Sequence, residues 1–432
     1  MEKVILVGLD VNDKADFEHS MEELEALAQA CDMEVTGVTT QKMPAVNKAF
    51  YIGTGKVDQV RRLAEESGAG LVIFDNALSP MQLRNLQQEL SMAVMDRTTL
   101  ILEIFSRRAR TREAKLQVET ASLQYMLPRL VGLHDALSRQ GGASGAMSNK
   151  GAGEKKLELD RRHIEARLAA LKKELARVEK DWETQRKQRQ KSDLPLVSLV
   201  GYTNAGKSSV MNTLVDYFAD GDDGAQDKKV LEKDMLFATL ETTVRKMEAG
   251  GGRSFLLSDT VGFIDELPHS LVKAFRSTLE EVKNADLLLH VIDYADPYYR
   301  EHMEVTRRTL EELGAGKIPV IRVFNKMDLK EKEQGADAGY PKVMDRNIFL
   351  AAGKGVGTEE LVALITDTLF GGRRERQLLI PYGESGVFSR IREEAEVLAC
   401  EYAEDGIRVK AALGKAAEGR YRDYILKQGE TQ

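Results

Sequence analysis

Cysteine is almost missing from this sequence of 432 residues, which holds two, Cys31 and Cys400. A disulfide framework is thereby excluded, and the usage suits a reducing compartment. Long apolar runs are missing too. The opening MEKVILVGLD is cut short by Asp10, and no small-residue cleavage site follows it. No run approaches the roughly 18 apolar residues of a membrane helix. A cytoplasmic protein without a membrane span is expected. Net positive charge is also lacking: 62 Lys and Arg face 69 Asp and Glu, a formal charge of −7. General attraction to nucleic acid is therefore not expected, and any RNA contact must come from local basic patches.

What is present is an ordinary globular composition, 42% hydrophobic and 30% charged. At roughly 100–200 residues per domain, the length predicts two to four domains. Residues 1–110 read as a small α/β unit. Its strands are expected at Val4–Leu9, Val35–Thr39 and Leu71–Phe74, with helices at Phe17–Cys31 and Met81–Leu90. A long helical pattern runs from Thr98 to Leu127, and Pro128 is expected to interrupt it. Its basic stretch sets Arg107, Arg108, Arg110, Arg112 and Lys115 against Glu113 alone. Residues 141–154 hold five glycines and no aromatic, the composition of a loop.

From 157 to 190 a single long helix is expected. Ile164, Leu168, Leu171, Leu175, Val178 and Trp182 follow heptad spacing, the seam of a helical hairpin. Residues 160–191 carry eleven Lys and Arg against six Asp and Glu. The pattern predicts a hairpin arm over 111–192.

After Pro195, strands and helices alternate to about residue 372. Leu196–Val200, Phe255–Asp259, Asp286–Asp293 and Val320–Phe324 are near-continuous apolar runs, which fit buried parallel strands. Helices are expected at Ser270–Asn284, Tyr299–Leu313 and Thr358–Phe370. The order predicts a doubly wound α/β sheet over 193–372, with its ligand at the strand carboxyl ends. Residues 373–432 read as a small α+β domain, with a strand at Gln377–Ile380, a helix at Val387–Tyr402 and a last strand or two from Ile407.

Gly201-Tyr202-Thr203-Asn204-Ala205-Gly206-Lys207-Ser208 matches G-x-x-x-x-G-K-S between a strand and a helix. Its backbone N–H groups can wrap phosphate oxygens, helped by the helix N-terminus. Lys207 can reach the β- and γ-phosphates, and Ser208 can ligate Mg2+. Asp259-Thr260-Val261-Gly262 ends an apolar strand. Asp259 suits holding Mg2+ through its water shell, and the Gly262 N–H can approach the γ-phosphate. Asn325-Lys326-Met327-Asp328 ends another strand. The Asp328 carboxylate can accept from N1–H and the N2 amino group of guanine, whereas adenine would leave it unpaired. Asn325 is expected on the base and its loop, and the Lys326 stem along the ring. Ala351-Ala352-Gly353 stands where backbone N–H groups can reach guanine O6. GTP and GDP are the implied ligands.

Between the phosphate-loop helix and Asp259, Thr239, Thr242 and Thr243 all qualify by position to complete a Mg2+ shell. Phe263 occupies the place where Ras-like enzymes carry a water-orienting glutamine. Phenylalanine cannot do this, so slow hydrolysis completed by a partner is expected. Asn204 stands where some GTPases lacking that glutamine ligate a monovalent cation, so K+ joins Mg2+ as a candidate cofactor. Gly53-Thr54-Gly55-Lys56 is too short for a second phosphate loop and reads as a turn.

Over nearly its whole length the chain resembles the HflX family, translation-factor-class GTPases. The resemblance rests on YIGTGK at 51–56, LSRQGG before the glycine loop, GAGEKKLELDRR at 151–162, FATL at 237–240 and DTVGFI at 259–264. It implies that the switch threonine is Thr239, with Phe237, Ala238, Leu240 and Glu241 beside the nucleotide. It also implies binding to the large ribosomal subunit in the GTP form, in dissociating or rescuing stalled ribosomes or in stress control of translation. With the basic stretches, which suit RNA phosphate, the resemblance implies large-subunit rRNA as the main contact. A monomer is expected. The competing reading is a signalling or assembly GTPase whose arm binds a protein, without ribosome binding.

Overall fold

In the computed structural model the described residues are 1–12, 16–139, 150–190, 194–218, 237, 243–249, 253–264, 281–334, 339–372 and 374–426. They fall into two compact units. One is Met1–Trp182 with Asp234–Leu240 and Glu266–Arg276, the other Glu183–Lys233, Glu241–Asp265 and Ser277–Gln432.

The first unit begins with a parallel sheet of β1 (Glu2–Val11), β2 (Met33–Met43), β3 (Leu71–Phe74) and β4 (Ala93–Asp96), in the order β2-β1-β3-β4. Val4 to Val7 and Val72 to Phe74 are buried almost completely, because helices cover both faces of a parallel sheet. These helices are α1 (Phe17–Ala30), α2 (Thr54–Ser67) and α3 (Pro80–Leu90). Ser79 and Gln82 form a reciprocal capping box at the start of α3, with Pro80 in the first helical turn. Helix α2 and strand β4 were not anticipated. The GTGK stretch read as a turn opens α2, which buries Val57, Val60 and Ala64 against the sheet.

The long helical pattern from Thr98 is split into α4 (Arg97–Arg108) and α5 (Arg112–Arg139). Thr111 causes the break, since its Oγ1 accepts the Ala114 N–H at 3.2 Å and starts a new helix. Pro128, expected to interrupt the pattern, lies inside α5. The next residue, Arg129, is held on both sides of its guanidinium. It lies 3.3 Å over the Tyr125 ring, and it donates to Asp96 Oδ2 at 2.9 Å and to the Leu78 carbonyl at 3.2 Å. Tertiary contacts keep the helix running where the proline removes a backbone bond.

Helix α6 spans Lys150–Gln190, so the glycine-rich stretch becomes helical from Lys150 while 140–149 lie outside the described residues. Leu168 and Leu171 of the seam are buried, and Ile164, Leu175 and Val178 are half-buried. Arg167 grips Glu119 of α5 through two nitrogens at 2.6 and 2.8 Å, and Arg112 meets Glu174 at 2.9 Å.

The second unit holds the doubly wound sheet: β5 (Leu196–Val200), β6 (Thr243–Glu248), β7 (Ser254–Asp259), β8 (Leu287–Asp293), β9 (Val320–Asn325), β10 (Lys342–Met344) and β11 (Asn347–Phe349). Its order is β10-β11-β9-β8-β5-β7-β6, with β6 and β10 antiparallel at the edges. Strand order reverses at β5, which lies between β8 and β7. A doubly wound sheet binds ligands at this switch point. Helices α7 (Lys207–Phe218), α8 (Tyr299–Glu312), α9 (Met327–Gln334) and α10 (Thr358–Phe370) complete the described part. Of the helix expected at Ser270–Asn284, residues 270–280 lie outside the described residues.

A further antiparallel sheet, β12 (Arg374–Ile380), β13 (Glu396–Ala403) and β14 (Gly406–Leu413), has its own core of Leu378, Ile380, Ile391 and Val409. The helix expected over Val387–Tyr402 is instead α11 (Ser385–Glu394) followed by β13. Pairing with β14 across a tight turn claims the second half, overriding its helical pattern. A short helix, α12 (Lys415–Arg420), follows. Among the described residues no helix is long and apolar enough to cross a membrane.

Candidate functional site

Three loops leave the carboxyl ends of β5, β7 and β9, and they carry the residues singled out from sequence. The first, Gly201 to Gly206, turns through positive φ at Gly201 (148°), Asn204 (59°) and Gly206 (89°). Side chains are excluded at both glycines. A Cβ on Gly201 would lie 2.2 Å from the Val291 carbonyl oxygen, and one on Gly206 2.3 Å from Asn325 Nδ2.

Lys207 opens α7 and folds back over its own loop. Its Nζ donates to the Tyr202 carbonyl at 2.8 Å and to the Gly201 carbonyl at 3.2 Å. Burial pulls the ammonium down to about 8, against the opposing effect of Asp259. A cation held in so dry a place is poised for anionic ligand oxygens. His290 on β8 is also buried and is pushed down to about 3, by burial first and then by the charges of Arg322 and Lys207. It is neutral at ordinary pH and adds no charge to the site.

Ser208 Oγ lies 3.4 Å from Asp259 Oδ2. A hydroxyl and a carboxylate oxygen this close form a pair of hard oxygen donors of the kind that Mg2+ takes, directly or through its water shell. Asp259 is fully buried, and its Oδ1 accepts the Thr260 N–H at 2.9 Å. Thr260 in turn donates its hydroxyl to the Leu199 carbonyl at 2.5 Å, tying the end of β7 to β5.

Val261, Gly262 and Phe263 follow. The Phe263 N–H donates to the Gly201 carbonyl at 3.1 Å, and the Thr203 N–H donates to the Phe263 carbonyl at 2.7 Å. The two loops are thereby bridged in parallel between Tyr202 and Phe263. The Phe263 side chain is buried. Gly262 passes so near that a Cβ there would lie 2.9 Å from both Lys207 Nζ and Thr203 Cα.

On the third loop, both ends of the Asn325 amide are engaged by loop backbone. Nδ2 donates to the Ala205 carbonyl at 3.1 Å, and Oδ1 accepts the Ala352 N–H at 3.0 Å. Asn325 thus links the Gly201–Gly206 loop to the 351–353 loop. Lys326 has positive φ (62°), and its Nζ pairs with Asp293 Oδ2 at 2.7 Å. Met327 is buried and donates its N–H to the Leu350 carbonyl at 3.2 Å. Asp328 is half-buried, with Lys354 Nζ 3.5 Å from its Oδ2.

Ala351 and Ala352 are buried and Gly353 is exposed. Thr213 on α7 donates its hydroxyl to the Ala352 carbonyl at 2.9 Å. Behind this loop a cavity of about 790 Å3 is lined by Asn212, Thr213, Asp216, Tyr217 and Gly353 among others. None of 325–328 borders it, although Ala352 and Gly353 do.

Ala238, Thr239, Leu240, Glu241 and Thr242 lie outside the described residues. Phe237 is described, and its buried ring meets Phe105 edge-on at 4.7 Å within the first unit. Thr243 opens β6 in register with Asp259. Asp293, Lys354 and Thr213 escaped sequence reasoning. Of these only Asp293, at the end of an apolar strand, had a legible signal.

Three family models match the chain. Residues 18–106 match the GTP-binding GTPase N-terminal model, 108–189 the GTP-binding GTPase Middle Region, and 196–326 the 50S ribosome-binding GTPase. A relative named GTPase HflX from Caldanaerobacter subterraneus subsp. tengcongensis is 42% identical over 98% of this chain and 94% of its own length. GTPase HflX of Alkalihalophilus pseudofirmus is 43% identical over 94% of this chain and 91% of its own. GTPase HflX of Escherichia coli (strain K12) is 38% identical over 94% and 92% respectively.

Proposed function

The chain belongs to the HflX family of GTPases, and from that premise we propose that it is a switch that binds the large ribosomal subunit in its GTP form and acts in ribosome dissociation, rescue or stress control. The chemistry is hydrolysis of GTP to GDP and phosphate. In our reading the Gly201–Gly206 backbone cradles the phosphates, Lys207 neutralises the β- and γ-oxygens, and the Gly262 N–H meets the γ-phosphate. Ser208 and Thr239 ligate Mg2+, with Asp259 acting through its water shell. Bound there, Mg2+ would offset phosphate charge.

Asp328 reads the guanine edge, while Asn325 holds the loops that frame it. The exposed Asn204, turned through left-handed backbone, is the candidate ligand for K+. Phe263 leaves the attacking water without an orienting side chain, so the ribosome supplies what is missing.

The observation that carries the ribosome reading is the charge of α6. Lys172, Lys173 and Arg177 are exposed on this 41-residue helix, within a stretch of eleven basic against six acidic residues. Clustered cations of this kind bind RNA phosphate even when net charge is negative. The description of the family model over 196–326 supports the same partner. We assign the nucleotide work to 193–372, RNA contact to the 111–192 arm on the 1–110 domain, and no function yet to 373–432. A cytoplasmic monomer fits this division.

The test is sedimentation with ribosomes at two salt concentrations, with a GTP analogue or GDP. Co-sedimentation should be stronger with the analogue and should weaken with salt. Replacing Lys172, Lys173 and Arg177 by Glu should abolish it while leaving GTP affinity intact. If the chain ignores ribosomes in both nucleotide states and instead retains a protein partner, it is a signalling or assembly GTPase.

A further inference from the structure

Tyr202 follows the glycine that opens the phosphate loop, and its backbone serves two groups at once. Its carbonyl accepts Lys207 Nζ at 2.8 Å, and its peptide unit lies in the bridge to Phe263. The placement of the lysine ammonium and of the Gly262–Phe263 segment therefore depends on one short stem.

The Tyr202 ring is buried and lies flat on the imidazole of His302 in α8, with ring centroids 3.8 Å apart and planes within 9°. His302 is itself oriented from the start of its helix. Its backbone N–H donates to the Tyr298 carbonyl at 3.1 Å, and its Nδ1 lies 3.6 Å from Asp296 Oδ2. Asp296 Oδ1 also accepts the Tyr298 N–H at 2.8 Å. Asp296 thus lies against both the turn before α8 and the imidazole.

We infer that His302 is a positioning residue for GTP hydrolysis: by stacking on Tyr202 it fixes the stem of the phosphate loop, and through it Lys207 and the Gly262–Phe263 segment. The inference rests on the phosphate-contacting roles proposed for Lys207 and Gly262. His302 touches neither nucleotide nor metal in this account. Its effect falls on the step in which Lys207 and Gly262 must act together on the γ-phosphate, more than on GDP binding.

The test compares the full chain with His302→Ala, His302→Leu and His302→Phe. Single-turnover GTP hydrolysis, KM and the affinity for a fluorescent GDP are measured, with Lys207→Ala as control. In His302→Ala and His302→Leu, kcat should fall roughly twofold to tenfold, the size of an aromatic pair's contribution. KM and GDP affinity should stay within about twofold. His302→Phe keeps a flat ring for Tyr202 and should restore most of the rate.

A wild-type rate in His302→Ala overturns the inference. So does a His302→Phe enzyme as slow as His302→Ala, because the ring would not be what matters. If Lys207→Ala hydrolyses GTP normally, the reading of the site itself fails. If Lys207→Ala is dead while His302→Ala is unimpaired, only the positioning role fails.

Discussion

Asn325 donates from Nδ2 to the carbonyl of Ala205 at 3.1 Å, and so ties the loop after β9 to the Gly201–Gly206 loop. The same side chain accepts the Ala352 N–H at 3.0 Å, and the residue is buried. Asn325→Ala should leave both backbone groups unpaired, at about 1–3 kcal/mol each. Affinity for GTP and GDP should fall together, and the denaturation midpoint should drop with them. Loss of affinity for one nucleotide alone would show that Asn325 does not act by joining the loops.

Guanine selectivity should rest on Asp328. Asp328→Asn should weaken GTP binding at least roughly tenfold, the scale of a lost buried charge-assisted pair. It should favour xanthine nucleotides, whose C2 carbonyl accepts from the new amide. Competition between ATP, GTP and XTP on the wild type and the variant decides this. Equal competition by ATP and GTP in the wild type would refute it.

Gly262 has no room for a side chain, since a Cβ there would stand 2.9 Å from Lys207 Nζ and from Thr203 Cα. Gly262→Ala should push the segment off the phosphate loop and lower kcat by about tenfold or more, or ~1.4 kcal/mol of barrier. GDP affinity should change little, because GDP has no γ-phosphate for this segment to meet. Equal losses of GDP affinity and rate would place Gly262 in the fold rather than at the γ-phosphate.

Lys207 should make nucleotide binding dependent on pH. In the free protein burial holds it down to about 8, below the ordinary lysine value. Phosphate oxygens favour the charged form, so bound nucleotide raises it. Affinity should be full below about pH 8 and should fall as pH rises above it, by up to about tenfold per unit. Calorimetry near pH 9 in two buffers of different ionisation enthalpy should show uptake of roughly one proton per nucleotide. The effect on folding has the opposite sense. Between the folded and unfolded values the unfolded chain holds more protons, so this group's contribution to stability rises with pH. Proton release, or none, on binding near pH 9 would exclude a depressed Lys207.

Arg97 in the first unit is a further point of failure. Its guanidinium is buried between Glu23 and Asp75, at 2.8 Å from Asp75 Oδ1, and Ser20 also meets it. Arg97→Ala leaves two buried carboxylates without their cation and should cost about 3–5 kcal/mol. Chemical denaturation of the full chain should show the loss as an earlier transition. A shift of less than about 1 kcal/mol would mean that water compensates the acids.

Much of the catalytic unit was legible in the sequence because its signals are local. Four apolar runs became β5, β7, β8 and β9 with their ends moved by a residue or so. The glycines of 201–206 occupy the positive-φ positions that only a residue without Cβ adopts easily. Elsewhere local pattern misled. The Thr54–Ser67 helix was hidden behind a glycine-rich start, and the second half of Val387–Tyr402 formed a strand because β14 lay ready to pair with it. Pro128 remained helical because Arg129 is clamped by Asp96 and Tyr125.

The sequence by itself determined which atoms could meet a nucleotide. A lysine after two spaced glycines, an aspartate ending one strand and another four residues past a second each carry their chemistry wherever they are placed. Tertiary structure decided which of them work together and what holds them. The Asn325 amide between Ala205 and Ala352, and the His302 ring beneath Tyr202, join residues far apart along the chain. Those contacts exist because parallel strands set β5, β8 and β9 side by side and α8 packs against β8, a relationship that no local pattern encodes.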